Sequence, residues 1–150
     1  MATAFIQYKN GKGFNIAEDY MQLAIYYIYV ELKKPKYSFI KKNIFIMDFE
    51  GVINGYQSSY LTLGWNKIIS NNADEQSMLQ VLQNVKIDLQ GKGAYISATE
   101  LQAIPTEDKD FKKLYKYPFP TSELIKIIDA LIKMLQGTWD STNYSMDINY

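Results

Sequence analysis

The chain has 150 residues, 47% hydrophobic and 15% aromatic, with no cysteine, histidine or arginine, so sixteen lysines alone face sixteen carboxylates. That balance excludes a global field drawing the protein to nucleic acid or a membrane surface. The missing residue types exclude a thiolate nucleophile, a soft-metal site, a side chain whose ordinary pKa lies near neutrality, and the planar fork that grips phosphate. No catalytic residue, metal ligand or cofactor is therefore expected. One globular domain over residues 1–150 is, because a chain of this length buries roughly 68–70% of its unfolded surface.

The first predicted element is a helix. Asn15 and Glu18 have capping-box spacing, and Ile16, Tyr20, Leu23, Tyr27 and Val30 recur at helical spacing until Pro35. Met21, Ile25, Ile28 and Leu32 fill a second face, so this helix belongs at the centre of the fold. Residues 37–55 admit two readings. Ile40, Ile44, Met47 and Gly51 fit a helix ended by Asn54 and Gly55, whereas residues 43–49 are β-branched and aromatic enough for a strand; helix is preferred. Ser58 or Ser59 can cap a short helix through Leu61, Trp65, Ile68 and Ile69, with residues 60–63 as the competing strand.

Further on, Met78, Leu79, Leu82, Val85, Ile87 and Leu89 predict a helix over 73–90 with Gly91 just past its end. Ser97 with Glu100 is a full capping box opening a short helix that ends before Pro105. Thr106 can cap another through Phe111 and Leu114. The last helix is capped by Thr121, carries Leu124, Ile127, Ile128, Leu131, Ile132 and Leu135 on one face, and stops at Gly137. Residues 138–150 read as an irregular tail. These elements predict an all-α, single-domain bundle of six or seven helices; the alternative is an α+β fold with a small sheet from residues 43–65.

Several clusters invite chemical readings. Gly11-Lys12-Gly13 and Gly91-Lys92-Gly93 lack the spacing of a phosphate loop and read as turns. Asp48 with Glu50, and Glu18 with Asp19, are the carboxylate pairs a glycosidase-like site would need, but helix starts and structural networks explain such pairs as well. Residues 107–110 lack the alternating ligands and central glycine of a calcium loop and read as a solvated helix start. Lys33, Lys34, Lys36, Lys41 and Lys42 around Tyr37 and Phe39 form a basic, aromatic patch that could track single-stranded nucleic acid. A helix C-terminus followed by a solvated loop explains the same lysines, and nucleic acid is the less favoured partner.

Thirteen tyrosines are the other departure from ordinary composition. Tyr26, Tyr27 and Tyr29 fall mostly on core positions, while Tyr56, Tyr60, Tyr95, Tyr115, Tyr117, Tyr144 and Tyr150 fall in or near turns. Tyrosine is enriched at interfaces because it offers a large contact area with few rotors to freeze. In the tail, Trp139, Asp140, Tyr144, Asp147 and Tyr150 combine aromatic anchors with negative charge and no lysine, the composition of a surface that meets a basic partner. No basic n-region and apolar h-region open the chain, and its most apolar run, residues 21–30, is too short to span a membrane, so a cytoplasmic protein is expected.

In general character, and most of all in the stretches FNIAEDYMQLA at 14–24 and SELIKIIDALI at 122–132, the chain resembles the bacterial immunity proteins of contact-dependent growth inhibition and related polymorphic toxin systems. The resemblance implies a protein that binds one cognate toxin, often a nuclease, and blocks its active site or its access to substrate; the composition of the tail makes Trp139, Asp140, Tyr144, Asp147 and Tyr150 the candidate toxin-binding set. The neutral charge departs from the strong acidity of many nuclease inhibitors. A nucleic-acid-associated regulator using the lysine patch at 33–42 is the alternative.

Overall fold

The computed structural model describes residues 2–38, 41–56 and 63–150. Among these the chain runs β1 (Thr3–Gln7), β2 (Gly13–Ala17), α1 (Glu18–Leu32), α2 (Lys42–Ile53), α3 (Trp65–Ile68), α4 (Asn72–Gln90), β3 (Tyr95–Ile96), α5 (Ala98–Ala103), α6 (Lys109–Leu114), β4 (Phe119–Pro120), α7 (Thr121–Gln136) and β5 (Tyr144–Ser145). The helix number matches expectation, but the class is α+β, not all-α. One sheet has the order β1-β2-β5 and a second pairs β3 with β4.

The larger sheet comes from the two ends of the chain. Within 43–65, where a sheet was the alternative, the described residues are α2, turn, and the start of α3. The Ser58 and Ser59 cap and the strand reading of 60–62 lie outside the described residues. At the N-terminus a period of two overrides the helical reading: Ala4, Ile6 and Tyr8 are buried, as are Phe14 and Ile16 across the ladder. Asn15 is therefore a strand residue, not a helix cap, and β2 passes directly into α1 through the extended Ala17. The hairpin reverses over Lys9, Asn10 and Gly11, all at positive φ, which fits the turn reading of the first Gly-Lys-Gly. At Gly13 a Cβ would lie 1.8 Å from the Ile6 carbonyl oxygen, so only glycine fits there.

The core is built on α1, which packs against α2, α4, α7 and β2, while α4 lies along α7. Met21, Leu23, Ala24, Ile25 and Leu32 are fully buried, as a helix apolar nearly all round requires. Capping follows the sequence in part. Asn71 Oδ1 accepts from the Asp74 N–H at 2.9 Å, and Ser97 Oγ from the Glu100 N–H at 3.1 Å. The cap of α6 is Asp108, not Thr106, and Thr121 is the first residue of α7, following Pro120. Gly137 stops α7 in the left-handed conformation, φ 77°, whereas Gly91 is right-handed and the left-handed turn falls on Gly93.

The tail is anchored. Gly13 N–H donates to the Ser141 carbonyl at 2.9 Å and Met146 N–H to the Asn15 carbonyl at 2.8 Å, seating β5 parallel to β2. Trp139 Nε1 donates to the Gly13 carbonyl at 2.9 Å, and Met146 is buried. An irregular reading missed this because a two-residue strand leaves no periodicity to detect. No helix among the described residues is long and apolar enough to cross a membrane.

Candidate functional site

The predicted tail set divides between two places. Trp139 meets Phe14 and Tyr144 edge-on at 5.7 and 5.5 Å, and Asp140, almost fully exposed, pairs with Lys12 at 3.4 Å. Tyr150 instead packs on Phe119 and Tyr115, with ring centroids 4.8 and 5.6 Å away, and its hydroxyl bonds the backbone of Leu114 and Tyr117. Between them, the Asp147 carbonyl accepts from Lys126 Nζ at 2.8 Å. Trp139 and Tyr150 thus hold the tail onto the fold. Asp140, Tyr144 and Asp147 remain exposed.

The lysines of the patch have contacts within the fold. Glu31 is 2% exposed and is met by Lys34 at 2.9 Å, Lys36 at 3.5 Å and the Tyr37 hydroxyl at 2.6 Å. Burial pushes the Glu31 carboxyl up, and the bonds from Lys34 and Tyr37 more than reverse it, leaving it below the usual range. The Tyr37 phenol, buried and bonded to Glu31, is pushed up to about 12. Lys42 Nζ donates to the carbonyls of Lys34 and Tyr37, Lys41 Nζ to that of Lys67, and Lys33 lies 4.9 Å over the Tyr29 ring. Phe39 lies outside the described residues. Lys34 and Lys36 thus neutralise a buried acid, while Lys33, Lys34, Lys36 and Lys41 remain exposed.

Tyr37 and Glu31 belong to a wider pattern. Among the described residues five tyrosines donate their hydroxyls to glutamates: Tyr8 to Glu75 at 2.6 Å, Tyr27 to Glu100 at 2.5 Å, Tyr29 to Glu50 at 2.7 Å, Tyr37 to Glu31, and Tyr56 to Glu107. A phenol satisfies a carboxylate's lone pairs without cancelling its charge. Glu31, Glu75 and Glu100 also have lysine partners, at 2.9, 2.7 and 3.0 Å. Glu50 and Glu107 have none among the described residues. Both of these line one groove.

That groove, of about 540 Å³, lies between α1, α2 and the turn before α6, and is lined by Tyr26, Tyr29, Glu50, Ile53, Asn54, Pro105, Thr106 and Glu107. Helical geometry puts Gln22, Tyr26 and Tyr29 on one stripe of α1, and Glu50, Ile53 and Asn54 on one stripe of α2. The floor is fixed by polar contacts that satisfy the C-terminal carbonyls of α2. Gln22 Nε2 lies 3.1 Å from the carbonyl oxygens of both Val52 and Ile53 and 3.0 Å from Asp108 Oδ2. Thr106 Oγ1 donates to the Ile53 carbonyl at 2.5 Å, and Glu107 N–H to Asn54 Oδ1 at 3.0 Å. Burial first, and then the carboxylates of Asp108, Glu18 and Asp110, push Asp19 up. Asp48, on an exposed part of α2, is not among the lining residues, so the Asp48 and Glu50 pair does not converge there.

Sequence reasoning missed the groove because its three walls are far apart in the chain and meet only in the folded protein. The available signal was Tyr29, a polar-tipped aromatic on the less buried side of a helix read as core. No group of three or more carboxylates that could hold a metal ion occurs among the described residues.

The carboxylates set an acid limit on stability. Glu75 is held below its ordinary value by Lys9 and Tyr8; in Glu100 and Glu123 burial is outweighed by hydrogen bonds, from Tyr27 and Lys92 and from Asn149 and Lys126 respectively. With Glu31, these four lie below their unfolded value of 4.5, so their contribution is complete above that value and is lost as pH falls through the folded values. Asp19, shifted upward, has the opposite sign and offsets only part of the loss. Melts followed by circular dichroism should give a clearly lower Tm at about pH 3 than at about pH 6, and Glu31→Gln should flatten the profile. An unchanged Tm would contradict these pairings.

Comparison with protein-family models, curated proteins and solved structures finds no match for the chain.

Proposed function

We propose that the protein is an immunity protein that binds one cognate bacterial toxin and neutralises it by non-covalent occlusion of the active site or the path to it. The observation that supports this reading is the pairing of Glu50 and Glu107 with tyrosines and not with lysines, in a groove whose floor is already hydrogen-bonded. Such a groove offers negative charge and aromatic surface to a cationic partner at small ordering cost. A nuclease is the toxin class with the matching chemistry, since it must carry a basic surface to hold a polyanionic backbone. The residue types present favour binding over catalysis, for the chain has no histidine, cysteine or arginine to place in a reaction centre.

The test is growth of cells producing a toxic domain encoded beside this protein, with and without the protein. Restored growth specific to this chain is expected. A domain that remains lethal in its presence, although the two are produced together and the chain is folded, would overturn the reading.

A further inference from the structure

Among the described residues strand β1 is an open sheet edge, and its free groups are complementary to a second copy of itself. The Glu18 N–H donates to the Ala2 carbonyl at 2.8 Å and the Tyr8 N–H to the Lys12 carbonyl at 3.0 Å, with Ala4 opposite Ile16 and Ile6 opposite Phe14 between them. In an antiparallel ladder the bonded residues alternate, so Ala2, Ala4, Ile6 and Tyr8 turn their backbone groups toward β2. Thr3, Phe5 and Gln7 turn theirs outward. On the far side of β2 the same alternation sends the Gly13 N–H and the Asn15 carbonyl to the tail segment, as the parity requires. No described residue bonds the backbone groups of Thr3, Phe5 or Gln7.

Exposed edges are ordinarily guarded by lysine, proline, a bulge or shortness. The opposite edge, β5, has only two residues, but β1 has five, Thr-Ala-Phe-Ile-Gln, with neither charge nor proline. We propose that β1 pairs antiparallel with β1 of a second copy, centred on Phe5. In that register Thr3 faces Gln7 of the copy and Phe5 faces Phe5, so every outward N–H and C=O finds a partner; a register shifted either way leaves some unpaired. The sheet becomes continuous through both copies. Its two-fold axis is perpendicular to the sheet, which sets both helical layers on the same side. Opposed Phe5 rings, now half-buried, supply an aromatic cross-strand pair, and no like charges face each other. This pairing does not depend on the toxin-binding reading and uses no residue of the groove.

Sedimentation equilibrium of the full chain over rising concentration tests it, with hydrogen exchange as the local readout. A dimer is expected, with the Thr3, Phe5 and Gln7 amides protected as it forms. Phe5→Pro removes an outward N–H and the ring with it at an edge position that tolerates proline, and Phe5→Lys opposes two like charges; each should raise the dimer dissociation constant about tenfold or more while circular dichroism is unchanged. A wild-type chain that stays monomeric at the highest concentration reached would overturn the proposal. So would a dimer that both folded variants leave intact, or one that forms without protecting those three amides.

Discussion

Replacing Ile25 with aspartate is expected to abolish cooperative folding. Ile25 is fully buried on α1, the helix that α2, α4 and α7 all pack against, and Met21, Ile28 and Leu32 surround it along the same face. Two losses combine. Removing a buried Ile side chain costs about 2–5 kcal/mol, and an unpaired buried carboxylate costs several more even after relaxation. Against a total stability of about 5–15 kcal/mol, that leaves little or no margin. Val30→Asp is the control, because Val30 on the same helix is 44% exposed and its change should cost far less. Circular dichroism melts of both variants check the contrast; a cooperative, native-like melt for Ile25→Asp would contradict the central placement of α1.

The second large effect concerns binding. Charge reversal of Glu50 and Glu107 together should weaken the complex with a cognate toxin at least about a hundredfold, because a desolvated charge opposite the wrong partner costs far more than a lost rim contact. Both side chains are exposed and neither is tied to a lysine, so the fold should remain as it is. Tyr29 and Tyr56 lose an acceptor in the variant but can turn their hydroxyls to water. Wild-type association should slow with added salt, and the variant should lose that dependence.

How far the sequence reached depended on the length of the signal. Helices α1, α4 and α7 have many apolar residues at helical spacing, and Ser97 and Gly137 punctuate helix ends as their chemistry requires. The N-terminal hairpin was hidden because Phe14 and Ile16 serve a strand although Ile16 also fits the helical stripe that follows; the long-range ladder with β1 decides between them. Strands β3, β4 and β5 have two residues each, too few to carry a period. The tail residues were read for composition, which carries no information on what they touch: Trp139 and Tyr150 pack against the fold while partly exposed, and Asp140 and Asp147 lie on the surface. The groove depended on pairings between tyrosines and glutamates 21 and 51 residues apart, which spacing along one helix cannot express.

Calorimetric titration of the cognate toxin domain with three folded proteins bears most directly on the binding surface: the wild type, Glu50→Lys with Glu107→Lys, and Asp140→Lys with Asp147→Lys. If the groove meets the toxin, the wild type and the tail variant bind one to one with similar affinity, and the groove variant loses at least about a hundredfold. Full affinity in the groove variant, with loss confined to the tail variant, would move the interface to the C-terminal segment and contradict the assignment of Glu50 and Glu107.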